Sequence, residues 1–316
     1  MSDANSQIPN TFKTGYESNV RMGLQQQQSV LANSMVTPES SGEGTDRLKL
    51  DDIVGNRKSQ KGGSTRNADT QYGNSPHDRV WAFPPDEFDY FSELVDKFDQ
   101  LKSGIDLTGA YTTAAVGVIN RAWDDAWIAG FFGTMWTGKN GTISTSFSGS
   151  NVVPVDTGAA AATRFNVEKV RKAEKIMLQN FVDPMEDWFM AITAEQADDL
   201  WGQVMAVNGD YRDALKPRFS ANGKQLLGLK GFEFVNVELS NPLYYNAGLT
   251  LDGSGYRKNP FWAKSGMRMV AWEKLFTSID RLPGKHFSAQ VYARTNVTAT
   301  RTDNGKCGYV LNSEAA

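Results

Sequence analysis

Hydrophobic and polar positions alternate most regularly near the C-terminal end. From Phe287 to Ala299 the odd positions read Phe287, Ala289, Val291, Ala293, Thr295, Val297 and Ala299, and the even ones Ser288, Gln290, Tyr292, Arg294, Asn296 and Thr298. A period of two held over about 13 residues predicts a strand of roughly 43 Å, far longer than the usual five or six residues. Upstream, "RMVAWEKLFTSID" followed by "LPGK" (282–285) predicts a second strand and a turn, hence a long hairpin. Residues 108–132 switch to the helical period. Tyr111, Ala115, Val118, Ala122 and Ala126 trace one stripe, and Val116, Ile119, Trp123, Trp127 and Phe131 trace its neighbour. At 1.5 Å per residue this rod is roughly 38 Å long, which suits it to cover the long strand. Gly117 and Gly130 read as points that weaken or bend it. Arg121 with Asp125, and Asn120 with Asp124, sit at i,i+4 on its polar side, so both aspartates read as surface or interface groups.

A further helix is predicted over "DEFDYFSELVDKFDQLKSG" (86–104), with Asp86 as its cap. Phe88, Phe91, Leu94 or Val95, Phe98 and Leu101 supply its apolar face, and Asp89, Glu93, Asp96 and Asp99 an acidic face turned away from it. Residues 137–165 read as small-residue loop with short strands. After them come a helix over 166–181 capped by Asn166 and a buried strand "WFMAI" (188–192). Thr193 and Gln196 form a capping box that opens a helix, and strand patterns follow in "LLGLKGFEFVNVEL" (226–239). The sum is an α+β protein: an elongated helix-and-hairpin part and a compact part.

The first eighty residues are rich in Gln, Ser, Asn, Gly and Thr and poor in large apolar side chains, too poor to offset their own ordering entropy alone. They read as a disordered tail or as an arm ordered on a neighbouring chain. Within them "RLKLDDIVG" (47–55) and "DRVWAF" (78–83) are strand-like and flank a Gly-rich middle, the pattern of a two-stranded excursion with a flexible tip. Arg57, Lys58, Lys61 and Arg66 make that tip basic. It lacks interleaved aromatics for stacking bases.

Composition narrows the classes. A net charge of −3 gives no global nucleic-acid footprint, and the single Cys307 excludes an internal disulfide framework. No run is long enough to span a bilayer and no secretion signal is legible, so a non-membrane, non-secreted protein is expected. The two histidines, His77 and His286, lie in polar contexts without a readable Ser or Cys partner. No Walker A, dinucleotide fingerprint, HExxH or CxxC pair is present, so no catalytic residue, cofactor or metal is expected. The eight tryptophans leave a carbohydrate-binding or hydrolytic reading open, although most fall at core periodicity.

The order of parts, with "VWAFPPDEFDYFSELVDKFDQ", "DLTGAYTTAAVGVINRAWDDAWIAGFFGT", "AITAEQADDLWG", "LLGLKGFEFVNVE" and "TSIDRLPGKHFSAQVYARTNVTATR", resembles the major capsid proteins of tailed bacteriophages, which have the HK97-type fold. The resemblance runs from about residue 45 to the end. It implies an N-arm (1–46), an E-loop (47–82), an elongated P-domain built of a spine helix and long β-hairpin (83–186 and 270–300) and a compact A-domain (187–269 and 301–316). The tip "RLPGKH", with Arg281 and Lys285, would lie near contacts between capsomers. It implies a structural, non-enzymatic subunit of the virion that is assembled in the host bacterial cytoplasm. Its copies would form hexamers and pentamers and enclose DNA through non-specific contacts. A separate scaffolding protein is implied because no long scaffolding segment precedes the arm, and a portal and a cement protein are further partners. The tip lacks an asparagine crosslink acceptor, so no covalent chainmail is expected despite Lys58 and Lys61. Contacts are expected between Arg57, Lys58, Lys61 and Arg66 of one subunit and Asp89, Glu93, Asp96 and Asp99 of the next. Another virion component, from tail or decoration, is the alternative within the same class.

Overall fold

The computed structural model describes residues 28–36, 43–54, 59, 66, 69, 77–95, 107–207, 232–237 and 249–314. Three sheets organise them. β1 (Leu48–Val54), β2 (His77–Ala82), β4 (Met135–Thr137) and β5 (Ile143–Thr145) form a four-stranded sheet in that order. β3 (Asp89–Val95) joins the hairpin of β10 (Met267–Leu282) and β11 (Ser288–Arg301) in the order β10-β11-β3. β6 (Val152–Val153), β7 (Trp188–Ile192), β8 (Phe232–Asn236), β9 (Tyr256–Ala263) and β12 (Cys307–Ser313) form the third sheet, in the order β6-β12-β9-β7-β8. The helices are α1 (Leu107–Phe132), α2 (Val167–Gln179) and α3 (Ala194–Val207).

The predicted beam is present. α1 has 26 residues and β11 has 14, which gives about 39 Å of helix beside about 46 Å of strand. Ala115, Ile119 and Trp123 of the helix pack with Phe91 and Ala293 of the sheet. Trp123 Nε1 donates to Thr295 Oγ1 at 3.1 Å. The Thr295 hydroxyl also lies within hydrogen-bond reach of the Glu273 and Lys274 carbonyls, where register shifts interrupt β10. Gly130 has a different role from the one expected. A Cβ there would sit 2.1 Å from the Ala299 carbonyl oxygen, so glycine permits the closest approach of helix to strand. At the end of α1 the buried Arg301 guanidinium donates to the Phe131 carbonyl, a cation at the negative end of the helix.

Residues 89–95 correct the sequence reading: they form a strand, not the start of a helix. Phe91 and Val95 stand at i,i+4, a spacing that fits both periods. Tertiary hydrogen bonding decides between them, because β11 has a second edge and β3 pairs with it from Asp89↔Thr295 to Val95↔Ala289. Phe98, Leu101, Asp96 and Asp99 lie outside the described residues.

The compact part buries both faces of its sheet. Trp188, Met190 and Ile192 of β7 join a core with Val170, Ala173 and Met177 of α2 and Leu200 of α3. Phe189 and Ala191 point into the other core, with Trp262, the α1 residues Trp127, Ile128 and Phe131, and Leu31 and Met35. A strand covered on both faces reads as a continuous apolar run, which accounts for "WFMAI". Asn166 caps α2 by accepting from Lys169 N at 2.9 Å, and Gln196 Oε1 accepts from Thr193 N at 2.9 Å to open α3.

Asp124 is a second correction. It is 1% exposed, because it accepts hydrogen bonds from Ser29 Oγ (2.6 Å), Val30 N (3.1 Å) and Leu31 N (3.0 Å). Segment 28–36 is thereby fastened to its own chain. Trp262 Nε1 donates to the Ser34 carbonyl at 2.8 Å, and Val36 N to the Met267 carbonyl at 3.2 Å.

Candidate functional site

Among the described residues α1 covers one face of the three-stranded sheet. The other carries cross-strand rows set by register: Tyr90–Arg294–Phe276, Ser92–Tyr292–Ser278 and Leu94–Gln290–Asp280. Tyr90 and Tyr292 stack with ring centroids 6.1 Å apart. Arg294 is held by Glu273, Nε to Oε2 at 2.8 Å and Nη2 to Oε1 at 3.2 Å, and its guanidinium lies 4.7 Å from the Phe276 ring centre and 5.1 Å from that of Phe88. The hydrogen bond to Glu273 raises the Arg294 pKa further, so this cation is permanent. The aromatic residues stay open to solvent: Tyr90 is 65% exposed and Phe276 42%. A large apolar face left open, rimmed by polar groups, marks an interaction surface.

At the end of the hairpin His286 and Phe287 both adopt positive φ (52° and 58°), and Phe287 is exposed. Arg281 and Lys285 are exposed beside them. Asp89 and Glu93 are exposed on β3, but strand geometry puts them on the same face as Phe91 and Val95, towards α1, instead of opposite the apolar stripe. Partial desolvation by the residues packed around it, with Glu87 nearby, raises the pKa of Asp89 although its side chain still reaches solvent. Arg66 is exposed. Arg57, Lys58 and Lys61 lie outside the described residues, as do Asp96 and Asp99. A groove of about 660 Å³ runs between the end of α1 and the base of the β1–β2 pair, lined by Trp81, Phe83, Trp136 and Ala129 with Glu87 and Asp89 at its rim.

Among the described residues no group of three or more His, Cys, Asp or Glu side chains is placed to hold a metal ion. Cys307 is buried, and burial pushes its thiol up to about 12, far from a nucleophile's range. His77 stands on β2 and His286 at the hairpin tip. Trp127, Trp188 and Trp262 are core residues, whereas Trp136 is 39% exposed and lines the groove with Trp81. Among the described residues no helix is long and apolar enough to cross a membrane.

Residues 8–314 match the family model described as phage capsid protein. The chain belongs to the phage capsid protein family. Solved capsids share its fold over nearly the full length. The capsid of cyanophage P-SCSP1u matches with a TM-score of 0.68 at 13% identity, covering 100% of this chain and 97% of that one. The capsid asymmetric unit of cyanophage Pam1 gives 0.67 at 12% identity with 100% of both chains covered, and the capsid of Ralstonia phage GP4 gives 0.70 at 9%, covering 96% and 95%. Among curated proteins none matches in sequence. The fold is therefore HK97-like, as the resemblance implied, and the chain is a shell-forming structural subunit, a major capsid protein.

For a capsid subunit, open faces are the functional parts. Sequence reading placed the tip residues Arg281 and Lys285 but missed the Tyr90–Tyr292–Arg294–Phe276 array. Its even-numbered β11 positions read simply as polar, and the array exists only once β3 and β10 flank them. The pairing of β3 was hidden by the helix-like spacing.

Proposed function

We propose that copies of this chain assemble as hexamers and pentamers into the closed icosahedral head shell of a tailed phage, enclosing double-stranded DNA through non-specific contacts. The observation that carries the reading is the half-covered three-stranded sheet: a rigid beam whose outer face and strained tip stay open in the single subunit. In this reading 1–46 is the N-arm, 47–82 the E-loop, 83–186 with 270–300 the P-domain, and 187–269 with 301–316 the A-domain. α2 packs on the sheet of the compact unit and so sits at the join between the last two.

The basic segment Arg57, Lys58, Lys61 and Arg66 of one subunit lies over Asp89, Glu93, Asp96 and Asp99 of the next. Arg281 and Lys285 bring positive charge to contacts between capsomers. Each exposed ion pair contributes less than about 1 kcal/mol. Stability then comes from repetition over the shell, and weak single contacts let misplaced subunits dissociate. The shell is held without covalent crosslinks. A separate scaffolding protein directs closure in the host cytoplasm, a portal occupies one vertex and a cement protein is a further candidate partner. The role is structural, without enzymatic turnover.

The test is expression with and without candidate scaffolding protein, followed by sedimentation and negative-stain electron microscopy. Closed shells, or rings of five and six, are expected. A folded monomer under every condition contradicts the reading. For the charge pairing, reversal of Lys58 and Lys61 to Glu is expected to impair assembly, and reversal of Asp96 and Asp99 to Lys to restore it. Assembly indifferent to the first change at low and high salt removes that contact.

A further inference from the structure

The C-terminal end of α2 carries an apolar knob that the subunit's own fold does not use. Three hydrogen bonds close this helix end: Asn180 N to Ile176 O (3.0 Å), Phe181 N to Leu178 O (3.1 Å) and Val182 N to Met177 O (3.1 Å). The last two are the paired bonds of a Schellman ending, with the left-handed position at Phe181, φ 59°. Val182 and Met177 are buried together and fix the turn. The residue between them and solvent is therefore forced outward: Phe181 is 91% exposed. Four residues on, Met185 is 90% exposed, and Leu178 on the last helical turn is also open.

Glycine belongs at this backbone position, since an L side chain there meets the carbonyl crowding that disfavours left-handed φ. A phenylalanine gains nothing within the subunit to offset that strain, because its ring touches water. Strain retained together with an exposed large apolar group points outside the chain. The same combination recurs at the hairpin tip in Phe287, with φ 58° and 66% exposure.

We propose that Phe181 and Met185 anchor a contact between two copies of this chain by inserting into the groove beside α1 of the neighbour. This rests on the shell-forming role given above. The groove suits the knob in chemistry, with Trp81, Phe83, Trp136 and Ala129 as walls. Phe83 and Trp136 meet edge to face at 6.1 Å, so that wall of the groove is a packed aromatic surface on which another apolar ring can lie. Lys172 and Lys175 stand exposed on the turns of α2 that lead to the knob, while Arg171 pairs with Glu168 at 2.7 Å on the same helix. Glu87 and Asp89 are among the residues lining the groove, within reach of such lysines. Beside the knob itself Asp183 accepts from Met185 N at 2.9 Å, and Glu186 accepts from Ser265 N. A knob on one surface and a groove on another make a head-to-tail contact, which generates rings when the rotation closes.

Phe181→Gly separates this contact from folding. The variant is expected to fold at least as stably as wild type by thermal denaturation, because the left-handed position is relieved. The concentration needed for assembly is expected to rise about tenfold or more. As a second measurement, subunits carrying Met185→Cys and subunits carrying Ala129→Cys are mixed, assembled and oxidised, the native Cys307 being buried. Disulfide-linked dimers confined to assembled particles are the expected product. Assembly of Phe181→Gly at the wild-type concentration overturns the anchor, and shells without that disulfide overturn its seat in the groove. A wild-type chain that never assembles contradicts the shell-forming role itself, a different failure from either.

Discussion

In the five-stranded sheet, β7 sends Trp188, Met190 and Ile192 into one core and Phe189 and Ala191 into another, whereas in the three-stranded sheet only the face towards α1 is covered among the described residues. The first arrangement spends both faces of β7 on the subunit's own cores, and its unit offers apolar groups only at the end of α2, in Phe181 and Met185. The second keeps Tyr90, Phe276 and Phe287 in solvent on a frame stiffened by a helix, a stacked tyrosine pair and a bidentate Arg294–Glu273 bridge. The contrast teaches a division of labour between the sheets themselves: the five-stranded sheet holds the subunit together, and the three-stranded sheet presents a face to other subunits. Substitutions in the two units should then affect different measurements.

The largest expected effect is at the seam between α1 and β11. Gly130→Val places a side chain against the Ala299 carbonyl, where even a Cβ would be 2.1 Å away. Overpacking there should destabilise the subunit by about 4 kcal/mol or more and remove soluble protein. Denaturant unfolding with a wild-type midpoint would show that helix and strand do not touch as described.

Next is Asp124→Ala, which leaves the Val30 and Leu31 amides without their acceptor in a buried site. A loss of about 2 to 3 kcal/mol is expected. Hydrogen exchange should accelerate over residues 28–36 before it does in β7. Unchanged protection at Val30 and Leu31 would argue against the clasp.

A smaller effect is expected at Lys169, fully buried beneath β12, where its ammonium donates to Thr163 O (2.7 Å), Leu311 O (2.9 Å) and Asn312 Oδ1 (3.1 Å). Burial lowers its pKa from 10.5 to about 8, although Asp156 and Asp199 favour the charge. Between those two values the unfolded chain binds more protons than the folded one, so stability should rise with pH across that window. Lys169→Met should flatten the rise and cost about 1 to 2 kcal/mol at neutral pH by stranding its acceptors. A pH profile identical to wild type would contradict a titrating lysine there.

The smallest effect on the subunit belongs to the outer face of the three-stranded sheet. Tyr90→Ser with Phe276→Ser should change unfolding free energy by only about 1 kcal/mol, because Tyr90 is already 65% exposed and Phe276 42%. Assembly should nevertheless fail or slow. A large loss of subunit stability with normal shells would reverse the proposed division of labour.

Much of the frame is legible in the sequence, for physical reasons that differ by element. β11 shows itself because one face is buried along nearly its whole length, and α1 because its two stripes have to cover that face. The capping residues Asn166 and Gln196 are legible because their partners lie within three residues. β3 is not, since Phe91 and Val95 fit either period and the deciding bonds come from β11, far along the chain. Asp124 misleads for a related reason: its partners are backbone amides 93 and 94 residues upstream, in a segment whose composition promises no structure. The aromatic array on the outer face likewise needs three strands from distant parts of the chain. The strained Phe181 did leave a local signal, a phenylalanine directly after "LQN" where a helix end calls for glycine.

The central claim is that the open face and tip of the three-stranded sheet become buried between subunits while the five-stranded sheet stays as it is. Hydroxyl-radical footprinting of free subunits and of assembled shells, read by mass spectrometry at Tyr90, Tyr292, Phe276 and Phe287, tests it directly. Strong labelling of these four in the free subunit, lost on assembly, with Trp188 and Trp262 silent in both states, is the predicted result. Equal labelling of the four in free and assembled protein would contradict the account.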